Sequence, residues 1–129
     1  MSPSAADRRN SWTGAFADPS GAAFKAIVAG EVTLTGSVFD APNVGADEVW
    51  ETMRTAASIY DDIQFTNGFD ASDRTFLEWE GHALGHDIAG VTVLRTRDDD
   101  AIVEVRIYHR PLPALLAFAA ELDRRLTAA

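Results

Sequence analysis

Four segments in the second half of the chain, Ile63 to Phe69, Thr75 to Ala83, Ile88 to Arg97 and Ile102 to His109, carry strand patterning and are separated only by short turns of Asp, Ser, Gly and His. Strands joined by connections this short pair antiparallel with their sequence neighbours, so the region predicts a meander. Pro111 and Pro113 stop the last strand, and Leu115, Phe118, Ala119, Leu122 and Leu126 mark an amphipathic C-terminal helix. Both faces of the meander carry apolar residues: Leu77 and Trp79 alternate with Phe76, and Val91 and Val93 with Thr92 and Leu94. On this reading helices cover one face and a second copy of the chain covers part of the other, in a twofold homodimer. Cover by the C-terminal helix is the competing explanation.

Upstream, the pattern is helical first. Asp18 is placed to cap a helix beginning at Pro19 and closed by a left-handed Gly30, with Phe24, Ile27 and Val28 on its buried face. Trp12 and Phe16, four apart, suit a short helical turn packed by its aromatic side. Glu31 to Phe39 reads as a strand in which Gly36 marks a bulge or a close approach. After a loop around Pro42, a second long helix runs from Gly45 to about Tyr60, with Val49, Trp50, Met53, Ala56 and Ala57 at helical spacing. Residues 1–11 are expected to be a loose terminus and 12–129 one domain. Helices grouped beside a sheet make it α+β.

The 129 residues suffice for one core without covalent staples, and none is cysteine, which excludes disulfides, thiolate metal sites and a cysteine nucleophile. A formal charge of -9 repels phosphate backbones and anionic lipid, so nucleic acid is not an expected partner. No apolar run is long enough to cross a bilayer, the first residues lack a secretory signal, and a cytoplasmic location is expected. Nucleophile-elbow, phosphate-loop and dinucleotide motifs are missing from the sequence, so no cofactor is expected.

The order of helices, strand, long helix and meander, with Val44-Gly45, Ile88-Ala89-Gly90-Val91-Thr92-Val93-Leu94-Arg95, Ile102-Val103-Glu104-Val105-Arg106 and Arg110-Pro111-Leu112-Pro113-Ala114-Leu115, resembles the nuclear transport factor 2-like superfamily. In particular it is similar to the small bacterial SnoaL-like branch, over Trp12 to Leu126. The resemblance implies a cone: a curved antiparallel sheet wrapped by helices around an apolar pocket, often in dimers. Aligned with the ketosteroid isomerase pattern, the oxyanion-binding tyrosine falls at Trp12, the base aspartate near Gly36 and the protonated aspartate at Thr92. None of the three supplies a proton-transfer group near neutral pH.

Other candidates for chemistry are sparse. An Asp, Arg, Asp relay of the limonene epoxide hydrolase kind finds only Glu80, Arg106 and Glu104, which suit a cross-strand ion pair on the opposite face better. His82 and His86 are too far apart on a strand to form a metal pair. Alternation puts Val103, Val105, Ile107 and His109 on one strand face, concave by the resemblance, which makes His109 the candidate general base or ligand donor, against a structural histidine. Trp12, Phe16, Trp50, Met53, Trp79, Thr92, Val105 and Ile107 are the expected ligand contacts. The expected function is binding of a small apolar or aromatic molecule. The alternatives are a cofactor-free cyclase, isomerase or hydrolase acting on a polyketide-like or terpenoid compound, and a structural dimerisation module with a filled cone.

Overall fold

In the computed structural model, which describes residues 4–128, Ser4 accepts the N–H of Asp7 on its hydroxyl and donates its own N–H to the Asp7 carboxylate. This capping box satisfies two donors that a helix start otherwise leaves unpaired. It opens α1 (Ala5–Ala15), which buries Trp12 and Ala15. The segment expected to be loose over 1–11 is thus helical from Ala5 onward. The parts of the domain expectations that fall on residues 1–3 and 129 lie outside the described residues.

The next helix is shorter than the spacing suggests. The Asp18 carboxylate accepts the N–H groups of Ser20 and Ala23, at 3.0 and 3.1 Å, and folds the segment from Asp18 into a turn. Helix α2 therefore spans only Ala22–Ile27, and Gly30, instead of closing it, lies inside strand β1 (Val28–Gly36). The run Val28, Ala29, Val32 and Leu34, all buried, is worth more in the sheet than a further helical turn. A two-residue strand β2 (Asn43–Val44) lies in the Pro42 loop, where none was expected, and α3 (Ala46–Ala57) follows. The meander is β3 (Tyr60–Ala71), β4 (Arg74–Ala83), β5 (His86–Thr96) and β6 (Ile102–Arg110), and α4 (Leu112–Thr127) ends the fold.

These strands form one sheet in the order β2-β1-β6-β5-β4-β3. The meander is antiparallel throughout, but β1 runs parallel to β6, with Leu34 beside Val105 and Gly36 beside Ile107. The sheet is mixed, which corrects the all-antiparallel expectation. No hairpin dictates the direction of β1 against β6, because α3 and four strands intervene between them. Register shifts within β3 bend the sheet. So do glycines where strands approach closely: a Cβ on Gly36 would lie 2.4 Å from the Ile107 carbonyl oxygen, and one on Gly90 2.1 Å from that of Tyr108. The helices fill the concave side, packing Phe24, Val49 and Phe118 against Val32, Leu34, Leu77, Leu94 and Val105. No described helix is long and apolar enough to cross a membrane.

Candidate functional site

Alternation along the paired strands builds the inner wall of the cone in two rows. Gly36, Ile107, Thr92 and Leu77 follow one another across β1, β6, β5 and β4, and His109, Gly90, Trp79 and Phe65 form the next row towards the mouth. Because Gly90 has no side chain, the Trp79 indole lies over it, and a Cβ there would meet the ring at 2.6 Å. The indole Nε1 donates to the Thr92 hydroxyl at 3.2 Å, so both of these buried polar groups are paired.

Between this wall and the helices lies a cavity of about 160 Å³. Helix α1 contributes Trp12 and Thr13 and the residue capping its end, Phe16; α3 contributes Met53, Ala56 and Ala57, and α4 contributes Phe118. The loop after β1 adds Val38 and Phe39. Seven of the expected positions thus meet around one space: Trp12, Phe16, Met53, Trp79, Thr92, Ile107 and His109. Two do not. Trp50 sits one helical turn nearer the start of α3, where it stacks on Phe16 at 5.8 Å between ring centres and lies against Gly21, behind the lining. Val105 points inward but lies deeper, fully buried beside Leu34 and Leu94 in the solid part of the core.

His109 is held on both nitrogens. Its Nδ1 lies 3.0 Å from the Ser37 hydroxyl and its Nε2 3.1 Å from the Tyr60 hydroxyl, while its backbone N–H donates to the Ser37 oxygen at 2.9 Å. Trp79 meets the imidazole edge-on and Phe118 lies tilted against it, each ring centre 5.3 Å away. Burial pulls this imidazole down to about 4, and burial likewise pushes the Tyr60 phenol above its usual range, so both groups are neutral at pH 7. The cavity wall therefore offers hydrogen bonds and no formal charge. Ser37 and Tyr60 escaped the sequence reading. The first meets His109 only through the parallel β1–β6 pairing, and the second opens β3 at a position read as the end of a helix.

Glu104 and Arg106 pair with each other at 3.1 Å, and the Glu104 carboxylate also lies 3.5 Å from Arg95, on the outer face of the sheet. They form a cross-strand ion cluster away from the cavity, and no hydrolase relay is assembled. His82, also on the outer face, lies between Asp62 at 2.9 Å and Asp87 at 3.1 Å, and those carboxylates raise its ionisation above the usual histidine value.

Among solved structures, a steroid delta-isomerase from Pseudomonas aeruginosa matches with a TM-score of 0.87 and 23% identity, over 99% of this chain and 95% of that one. A protein with a cystatin-like fold from Silicibacter pomeroyi matches at 0.83 with 17% identity, over 93% and 84% of the two chains. A SnoaL-like protein from Jannaschia matches at 0.68 with 13% identity, over 93% and 96%. No protein-family model matches the sequence, and neither does any curated protein. At these identities the likeness establishes the fold, which is the nuclear transport factor 2-like cone, and the site residues must speak for the function.

Proposed function

We propose that the cone binds a small, flat, uncharged molecule about the size of one ring, with a single polar atom turned towards His109 and Tyr60. The observation that carries this reading is the apolar, aromatic-rich lining of the cavity, with neutral hydrogen-bonding groups at His109 and Tyr60 on one side. Size decides the scale of the ligand. An apolar cavity of about 150 Å³ accepts benzene, whereas drug-sized ligands occupy roughly 300 to 1,000 Å³, so a four-ring skeleton does not fit the space as it stands. The open cavity also disfavours a purely structural module with a filled cone.

Burying a ring of about 150 Å² at roughly 25 cal/mol per Å² contributes about 4 kcal/mol, which corresponds to a dissociation constant near 1 mM. One hydrogen bond to the polar wall adds about 1 kcal/mol. Toluene should therefore bind weakly and 4-methylphenol several-fold more tightly, read as quenching of tryptophan emission and as a rise in melting temperature. A four-ring steroid binding as well as 4-methylphenol would overturn the size argument. Failure of both single-ring probes would overturn the reading itself.

A homodimer belongs to the same proposal. Phe69 and Tyr108 expose 55% and 46% of their surface on the outer face of the sheet, beside the partly buried Phe76 and Val91. Sedimentation at micromolar concentration should report about twice the 13.9 kDa chain mass, and a monomer throughout would refute the pairing.

A cofactor-free enzyme is the second reading, and the observation favouring it is the doubly bonded His109 beside the cavity.

A further inference from the structure

We propose that Ser37, His109 and Tyr60 form a serine acyl-transfer site that cleaves small neutral esters, with the cone cavity receiving their single-ring or short apolar group. The proposal rests on the reading of the cavity given above and adds to it a nucleophile and a substrate class.

The contacts admit two tautomers of His109, and one of them is reactive. The Ser37 hydroxyl has one proton and two acceptors in reach, His109 Nδ1 at 3.0 Å and the Ile107 carbonyl at 3.4 Å. That carbonyl also takes the Ser37 N–H at 3.0 Å, and in the reactive tautomer the nearer nitrogen receives the hydroxyl proton. Nδ1 is then a lone-pair acceptor aimed at the serine. In that tautomer Nε2 carries the ring proton and donates it to the Tyr60 oxygen at 3.1 Å; the other tautomer reverses both bonds. Nucleophile, base and orienting group are thus linked in one chain of hydrogen bonds, with a hydroxyl where such sites more often have a carboxylate.

Two further features complete the constellation. Ser37 is exposed and outside the lining, while its neighbours Val38 and Phe39 and its partner His109 line the cavity; an ester with its apolar group inside is to present its carbonyl to the serine oxygen. The N–H groups of Ser37 and Phe39 are spent on the carbonyls of Ile107 and Gly36, but that of Val38 donates to nothing among the described residues. A free backbone N–H on the residue after the nucleophile is a suitable donor for the developing oxyanion. The bond from the His109 N–H to Oγ uses one serine lone pair, locks the oxygen in place and leaves the other lone pair for attack.

In the first half-reaction Oγ bonds to the ester carbonyl carbon as its proton passes to Nδ1, and the tetrahedral oxyanion takes the Val38 N–H. Collapse breaks the carbon–alkoxy bond, and the proton on Nδ1 leaves with the alcohol. Water, deprotonated in turn by Nδ1, then attacks the acyl carbon, the bond from that carbon to Oγ breaks, and the Nδ1 proton returns to Oγ, so that ester and water give acid and alcohol and the serine is restored. A weak base without a neighbouring carboxylate makes deacylation slow, so acyl-enzyme accumulates.

The test uses the intact chain at pH 7.5 with phenylmethylsulfonyl fluoride and, separately, 4-nitrophenyl acetate. The expected results are one sulfonyl group per chain, mapped to Ser37 in wild-type peptides, and a burst of about one equivalent of nitrophenolate followed by slow turnover. Ser37→Ala should lose both, His109→Gln should slow acylation by about a hundredfold, and Tyr60→Phe by less. The wild-type peptide map does not depend on any variant folding. No adduct, or adducts spread over other hydroxyls, would overturn the proposal. Binding of 4-methylphenol to the same preparation separates the two readings: binding without an adduct refutes the acyl transfer alone, and loss of both refutes the cavity reading as well.

Discussion

Two histidines on opposite faces of one sheet have opposite chemistry. His109 is packed on the inner face among Trp79, Phe118 and two hydroxyls, and it stays neutral down to about pH 4. His82 lies exposed on the outer face between two carboxylates, which favour its charged form. Neighbours, and not residue type, set these properties: removal from water disfavours the imidazolium, and adjacent anions favour it. For His109 the consequence is a hydrogen-bonding group that adds no charge to the apolar space. For His82 it is an outer-face link from β4 to Asp62 on β3 and Asp87 on β5, with the charged form favoured.

The most disruptive way to break the contrast is Trp79→Ala. It removes a buried ring and leaves Thr92 without its donor, and should cost about 3 to 5 kcal/mol in denaturant unfolding. If the variant folds, water reaching His109 should move its ionisation back up towards 6.5. An unchanged titration would mean that the indole is not what keeps the imidazole dry.

Acid titration is the next largest effect. Folded His109 ionises near 4, whereas the unfolded residue ionises near 6.5, so between those values the unfolded chain holds the extra proton. Stability should therefore fall as pH drops through this window, by on the order of 2 to 3 kcal/mol in all. His109→Gln should remove that slope, and a slope that survives the substitution would assign it to other groups.

The smallest effect belongs to the exposed partner. Because folded His82 ionises above its unfolded value, its contribution is fully present below about 6.5 and disappears as pH rises through the higher folded value. His82→Gln should slightly lower the melting temperature at pH 6 and leave it unchanged at pH 9. In an imidazole NMR titration His109 should change at lower pH than His82; the reverse order would abolish the comparison.

Much of this architecture was legible in local pattern. Alternation grouped Leu77 with Trp79 and Ile107 with His109, because period two is a property of each strand alone, and the family resemblance then made the face of Ile107 and His109 the concave one. The helical spacing of Met53, Ala56 and Ala57 likewise identified the facing helix. What escaped depended on distant pairing. Ser37 and His109 are brought together by β1 lying parallel to β6, which no local signal encodes. Trp50 shares an apolar face with Met53, and only the position of α2 and Gly21 shows that it turns away from the cavity.

The parallel β1–β6 seam also dictates an order of events. During synthesis β1 emerges early, yet its only long partner in the sheet is the last strand made, and closing that contact spans most of the chain. Long loops close late because their entropy must be overcome before the contact repays it. The meander should therefore assemble first and the N-terminal strand dock last, so Ser37 and His109 meet only in the final step. A pulse-labelled amide exchange experiment should find protection in β4 and β5 before β1. Any partly folded chain released before that step would carry the histidine without its serine.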